Sequence, residues 1–272
     1  MMKKNLLIFA VMMSGTLIVN ADVIYSQSFD YAAEQNGNTF TEANFSGEGW
    51  SSGTGVITYQ HNAGLSYPGL VSQGGALQYD FDGGTGGRSA EQTFSSNLSF
   101  ADFAAGDKFY FSALVRVDRA LNSEASIVVN FQGNNVVNRP NFIVTETEMQ
   151  VQAWTNGGEN IISGPSYLVG DTLAFLMELE KGTTDNNNIL SIWFNPADLS
   201  NPGVPDFVST SDTRFGRDAG ILNGVSYSGS NVGDTQWTMD QVRVATTAIP
   251  EPGTLVLVGI ALGSLVLFRR RK

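Results

Sequence analysis

The chain has 272 residues, no cysteine, a formal net charge of −11, and 42% hydrophobic against 15% charged side chains. Without cysteine there is no disulfide clip, thiol nucleophile or Cys-ligated metal, and the excess of acid works against nucleic acid and anionic lipid as partners. The length suffices for one large domain whose core needs no disulfides.

In chain order, residues 1–4 are short and basic, 6–19 are mostly apolar, and Val19-Asn20-Ala21 offers small residues where a signal peptidase reads. Residues 1–21 are therefore expected to be a signal peptide cut after Ala21, with signal peptidase as the first partner. Residues 22–249 hold 9 Lys and Arg against 25 Asp and Glu, a net charge of −16, because both ends of the chain are basic. These acids are interspersed with Gly, Asn, Ser and Thr and read as a solvated exterior, which leaves neutral polysaccharide, cations and other proteins as partners.

Segments rich in Val, Ile, Phe, Tyr and Thr, spaced by Gly/Asn/Asp/Ser turns, predict strands at 23–29, 56–60, 76–81, 108–117, 126–131, 142–145, 149–154, 172–180, 189–195 and 237–244. Helix is expected only as single turns, at 100–104 and 196–199. Alternation puts Phe109, Phe111, Ala113, Val115 and Val117 on one side of their strand, with Leu173, Phe175, Met177 and Leu179, and Leu190, Ile192 and Phe194, doing the same on theirs. The opposite sides carry Tyr110, Ser112, Arg116, Glu178, Glu180, Ser191, Trp193 and Asn195, and are expected to be wetted. The fold class that follows is all-β: an antiparallel, jelly-roll-like β-sandwich over 22–247, flanked by the signal peptide and a C-terminal transmembrane helix.

Within the body three chemistries can be weighed. Glu178 and Glu180 stand two apart on one strand face, and retaining glycosidases use paired carboxylates about 5 Å apart, so these two are the candidate catalytic residues. Acidic surfaces also carry such pairs without any chemistry. Glu146 and Glu148 border a turn, and the single histidine, His61, lies in a Gly/Asn-rich stretch with no Gly-x-Ser-x-Gly elbow anywhere, so a Ser-His-Asp site has no support. Asp80 and Asp82 precede two glycines and could give hard oxygens to calcium, with help from 185–188, although Asp-Gly-Gly is also a turn sequence; no other cofactor is suggested. Trp154 shares a strand side with Gln150 and Gln152, and Trp193 shares one with Ser191 and Asn195, so either indole could stack on a sugar while amides hold its hydroxyls. The other reading is that the indoles cover the core, which is also expected of Trp50 and Trp237.

The tail closes the chain. Pro250 and Pro252 hold the approach extended, 254–268 is uncharged and apolar on every face, and Arg269, Arg270, Arg271 and Lys272 follow. As a helix 254–268 is short for a bilayer, and the basic cluster is expected to stay on the cytoplasmic side. A glycolipid signal would lack those arginines, and an uncut tail anchor would not need Pro-Glu-Pro. The order of parts resembles the PEP-CTERM sorting signal. That resemblance implies a sorting segment at 248–272, with Pro250, Glu251 and Pro252 recognised by an exosortase-like membrane peptidase, 254–268 as a membrane helix and 269–272 as the basic stop. The body loosely resembles concanavalin A-like or laminin G-like sandwiches of bacterial surface proteins, through Ser-Phe-Asp-Tyr at 28–31, Tyr-Phe-Ser-Ala-Leu-Val-Arg at 110–116, Trp-Phe-Asn-Pro at 193–196 and Trp-Thr-Met-Asp-Gln-Val-Arg-Val at 237–244.

Together these imply an exported cell-surface or matrix protein, transiently membrane-anchored with its C-terminus cytoplasmic and then surface-bound or extracellular. Its expected role is structural, adhesive or carbohydrate-binding in exopolysaccharide, with a polysaccharide-acting glycoside hydrolase as the alternative.

Overall fold

The computed structural model describes residues 23–246 except 28, 42, 47, 52–56, 71–73, 86–87, 100–101, 122–125, 134–140, 156–157, 185–186, 214–220 and 231; the expected signal peptide and the sorting segment lie outside the described residues. Fifteen strands follow in order: β1 (Val23–Gln27), β2 (Trp50–Ser51), β3 (Ile57–Gln60), β4 (Ala76–Thr85), β5 (Arg88–Ser99), β6 (Lys108–Arg119), β7 (Ser126–Gly133), β8 (Asn141–Val144), β9 (Glu148–Thr155), β10 (Gly158–Ser166), β11 (Thr172–Glu180), β12 (Asn188–Phe194), β13 (Phe207–Thr213), β14 (Ile221–Ser230) and β15 (Val232–Ala245). A 3-10 turn at Ala33–Gln35 is the helix described, and 196–199, expected as a helical turn, is irregular.

The strands pair in the order β2-β5-β14-β7-β8-β9-β13-β12-β11-β6-β15-β4-β3, with β10 beside β9 and β1 beside β15. Among the described residues one pair, Thr155 with Thr213, joins β9 to β13. There the network folds over into two layers, a first from β2 to β10 and a second from β13 to β3. Side chains meet between them: Phe142 of β8 stacks on Phe175 of β11 with ring centroids 5.0 Å apart, and Tyr25 of β1 stacks on Phe94 of β5 at 4.3 Å. Gly164 of β10 lies so close to β12 that an added Cβ would sit 2.6 Å from the Phe194 ring. This is a β-sandwich, and the apolar alternation expected of β6, β11 and β12 forms its core: Phe109, Phe111, Val115, Leu173, Phe175, Met177, Leu190 and Ile192 are all buried between the layers.

The outer side of the second layer departs from expectation. Leu114 of β6, Leu176 of β11 and Trp193 of β12 point away from the main core, yet they form a second buried cluster with Leu65, Leu70 and Leu199 from two loops. Those loops lock together: Leu199 N donates to Pro68 O at 3.1 Å, the Trp193 indole N–H donates to Gly203 O at 3.1 Å, and Leu65 N donates to the fully buried Asp240 carboxylate at 2.9 Å. Gly69, at φ +81°, sits where a Cβ would lie 2.1 Å from Asp198 Oδ1, so the crossing of the loops needs glycine. Ser112 and Ser191, expected to be wetted, are buried beneath this cover.

Near β1 and β5 a polar network crosses the core. Tyr25 Oη donates to Gln92 Oε1 at 2.5 Å and meets Tyr227 Oη at 3.0 Å, while Gln27 Nε2 and the Trp50 indole N–H both donate to Tyr31 Oη, at 2.9 and 3.0 Å. Buried polar groups persist where each finds a partner, and this set is knitted together.

One expectation is withdrawn. Among the described residues no helix is long and apolar enough to cross a membrane, so the flanking transmembrane helix of the fold assignment and the transient membrane anchoring built on it are not supported. The segment 254–268 that suggested them lies outside the described residues.

Two outcomes are expected. Phe175→Ala removes a ring stacked across the layers and should cost about 3–5 kcal/mol of unfolding free energy in urea. Burial pushes Tyr25 and Tyr227 well up and Tyr31 up to about 12. The unfolded chain releases these protons first, at about pH 10, so stability should fall as pH rises above that value. A spectrophotometric tyrosine titration should show these phenols ionising late or only on unfolding.

Candidate functional site

The outer side of the first layer is built differently from that of the second. In β8 and β9, Phe142, Val144, Met149, Val151 and Ala153 are buried inward, so the intervening Asn141, Ile143, Gln150 and Gln152 face out. Backbone register sets Ser226, Asn130, Asn141, Gln152 and Ile161 opposite one another in sequence across β14, β7, β8, β9 and β10, which puts the side chains of Asn141, Gln152 and Ile161 in one row. In the adjacent row Ile143 faces Gln150, which faces Ser163.

The amides are already ordered. Asn141 Nδ2 donates to Gln152 Oε1, while Gln150 Nε2 and Ser163 Oγ both donate to Glu148 Oε1, at 2.7 and 3.0 Å. Asn141 Oδ1 is buried without a hydrogen-bond partner, and Ile161 beside Gln152 is 57% exposed. The result is a strip of oriented amide and hydroxyl groups, with Ile143 within it and the more exposed Ile161 at its edge. Such a strip can hold sugar hydroxyls, whose donors and acceptors match it, against an apolar ring face. Trp154, expected to stack here, pairs with Glu159 in the backbone register, and its side chain lies outside the described residues.

The other expected site residues are placed as follows. Trp193 is 7% exposed under the loops, so this indole covers the second cluster and presents no face to a sugar. Trp50 and Trp237 are core residues, the latter stacked on Tyr79 at 5.1 Å. His61 meets Tyr59 Oη at 3.0 Å at the end of β3. Asp80 accepts from Gln236 Nε2 at 3.0 Å and lies 3.7 Å from Arg119 Nη2. Asp82 pairs with Asp234 in the backbone, and of 185–188 the first two lie outside the described residues. No cluster of three acidic or histidine groups able to hold a metal occurs among the described residues, so the calcium expectation gains nothing from this arrangement.

Glu178 and Glu180 do lie together, but a residue the sequence reading did not connect to them stands between. Lys108 Nζ reaches Glu178 Oε1 at 2.8 Å and Glu180 Oε2 at 3.3 Å, because β6 and β11 pair Lys108 with Glu180 and Tyr110 with Glu178. Hydrogen bonding to Glu178 is the main influence raising Lys108 above its ordinary value. Burial, then Glu178, push the Tyr110 phenol up as well. A single ammonium thus bridges both carboxylates.

The comparisons with known proteins bear on two parts of the chain. Residues 248–272 match the PEP-CTERM protein-sorting motif. The chain carries a PEP-CTERM sorting signal. It is therefore an exported protein handled by an exosortase-like sorting system, and Pro250, Glu251, Pro252, Arg269, Arg270 and Arg271 all fall inside the matched segment. No curated protein matches the chain. Among solved structures, the globular domain of T. cruzi calreticulin is similar to this chain with a TM-score of 0.52 at 12% identity, over 89% of this chain and 94% of that one. The binding domain of Paraclostridial Mosquitocidal Protein 1 follows with a TM-score of 0.51 at 10% identity, over 86% of this chain and 51% of that one. At such identity the likeness concerns the fold, a β-sandwich.

The clamp at Lys108 makes a measurable prediction. In a double-mutant cycle, Lys108→Met should lower stability in the parent and matter less when Glu178 and Glu180 are both glutamine. The coupling should be about 0.5 kcal/mol, small because the Lys108 side chain keeps 41% of its surface exposed and is screened by solvent.

Proposed function

We propose that the mature body is a structural or adhesive component of an exopolysaccharide matrix and holds neutral glycan on the outer side of β8, β9 and β10. The observation that supports this reading best is the ordered amide strip of Asn141, Gln150 and Gln152, with exposed Ile161 at its edge. The charge of the body agrees with it: at −16 over 22–249, polyanions are repelled and uncharged chains are not. Export through the sorting signal delivers such a body to where exopolysaccharide is found.

The alternative, hydrolysis of a glycosidic bond by Glu178 and Glu180, is less well supported. A retaining glycosidase needs one carboxyl to give a proton and the other to attack, whereas here both are bound to the same ammonium.

Gln152→Ala and Asn141→Ala should each reduce retention of the protein on neutral exopolysaccharide of its own host by several-fold, while thermal unfolding stays close to that of the parent. Unchanged retention in both would remove the glycan reading. Any sugar-cleaving activity abolished by Glu178→Gln would restore the hydrolase instead.

A further inference from the structure

The hairpin that joins β8 to β9 decides which way the backbone of β10 points. Thr145 N donates to Glu148 O at 3.0 Å, so Thr145 and Glu148 form a hydrogen-bonded pair. Antiparallel ladders alternate, and the register therefore turns the N–H and C=O groups of Gln150 and Gln152 towards β8 and those of Val151, Ala153 and Thr155 towards β10. Their partners in β10 are Ile162, Asn160 and Gly158. The backbone groups of Glu159, Ile161 and Ser163 are left pointing to the other side of β10.

Among the described residues β10 pairs with β9 and with no other strand, so that side is an open edge of the first layer. Proteins commonly blunt such edges with lysine, proline or a bulge. Between Glu159 and Ser163 there is no basic residue and no proline; the register shift between Ser163 and Ser166, with Pro165 inside it, ends the segment. On the outward side Ile161 is 57% exposed, while Ile162 turns in against the core. An unblunted edge beside an exposed aliphatic is a template for another strand.

We propose that this edge pairs with the same edge of a second copy, antiparallel about a two-fold axis through Ile161. In that register the segment is its own complement. Ile161 faces Ile161 of the second copy, and Glu159 and Ser163 face each other in both directions, so every outward N–H meets a carbonyl. The two isoleucines come together on the outer side and leave water. Charge favours the same register. Glu159 is the one ionisable residue of β10, and this pairing sets the two glutamates at opposite ends of the paired segment. Their backbones lie about 13 Å apart along the strand, beyond the screening length of about 8 Å at physiological salt. A two-fold pair uses both β10 edges and stops at two.

The consequence is for the amide strip. Strands β8, β9 and β10 of the two copies join into one sheet, and the row Asn141, Gln152, Ile161 runs on into Ile161, Gln152 and Asn141 of the second copy. The side offered to glycan doubles in length. That consequence rests on the glycan reading, but the pairing does not, and it is tested with no glycan present.

The exported protein is followed by sedimentation velocity and by amide hydrogen exchange at rising protein concentration. A monomer–dimer equilibrium is expected that strengthens with salt, which screens the repulsion between two acidic bodies, and exchange at Ile161 and Ser163 should slow several-fold as the dimer forms. Ile161→Pro removes an N–H that β9 does not use, so it should leave thermal unfolding near that of the parent and abolish the dimer. Ile161→Val should keep it. A monomer at every concentration, larger assemblies, protection on β13 in place of β10, or a dimer unchanged in Ile161→Pro would overturn the proposal. Should Ile161→Pro not fold, Ile161→Lys, which sets two like charges opposite each other, decides, an undiminished dimer overturning it. A dimer without retention on exopolysaccharide removes the glycan reading alone, and retention by a strict monomer removes the pairing alone.

Discussion

The Asp240 carboxylate has no exposed surface and spends both oxygens on backbone N–H groups, those of Leu65 and Gln241. One bond holds the 61–70 loop down on the second layer, and the other fixes the bulge in β15. A buried carboxylate is tolerated only when its lone pairs are satisfied, and here two amides from distant parts of the chain do so. From this follow the second apolar cluster, the burial of Trp193 and the close crossing at Gly69.

Closing one outer side gives the two layers different surfaces. The second layer is covered where Leu114, Leu176 and Trp193 would otherwise meet water. The first layer carries amides and hydroxyls in register rows on β8 to β10, already bonded to one another and so ordered before any ligand arrives. Preorganised polar groups lose less entropy on binding than free ones, which is the physical ground for placing glycan contact there.

Much of the core could be read from alternation. Phe109 to Val117 and Leu173 to Leu179 are apolar at every second position, and those residues are buried as that pattern requires. The strands β5, β10 and β14 escaped because their sequences are rich in Ser, Gly, Asn and Gln, residues that signal turns when read locally; cross-strand pairing and the neighbouring layer, which have no local signature, make them strands. The covered side was missed for a related reason. Trp193 alternates with polar neighbours, and nothing within its strand tells of a loop arriving from 61–70. For the sites, the sequence supplied Gln150 and Gln152 but not Asn141, which follows Pro140 and resembles loop, and it supplied Glu178 and Glu180 but not Lys108, 70 residues earlier than Glu178. The sorting signal needed no fold, because its meaning lies in the order of local parts, and a motif match confirms it over 248–272.

The most direct measurement of the central claim is to titrate neutral fragments of the host's exopolysaccharide into the labelled protein and follow the side-chain amide resonances of Asn141, Gln150 and Gln152. The account predicts that these three move together and saturate, while the backbone resonances of 61–70 and 196–205 stay in place. Movement confined to those loops, or none anywhere, would contradict it.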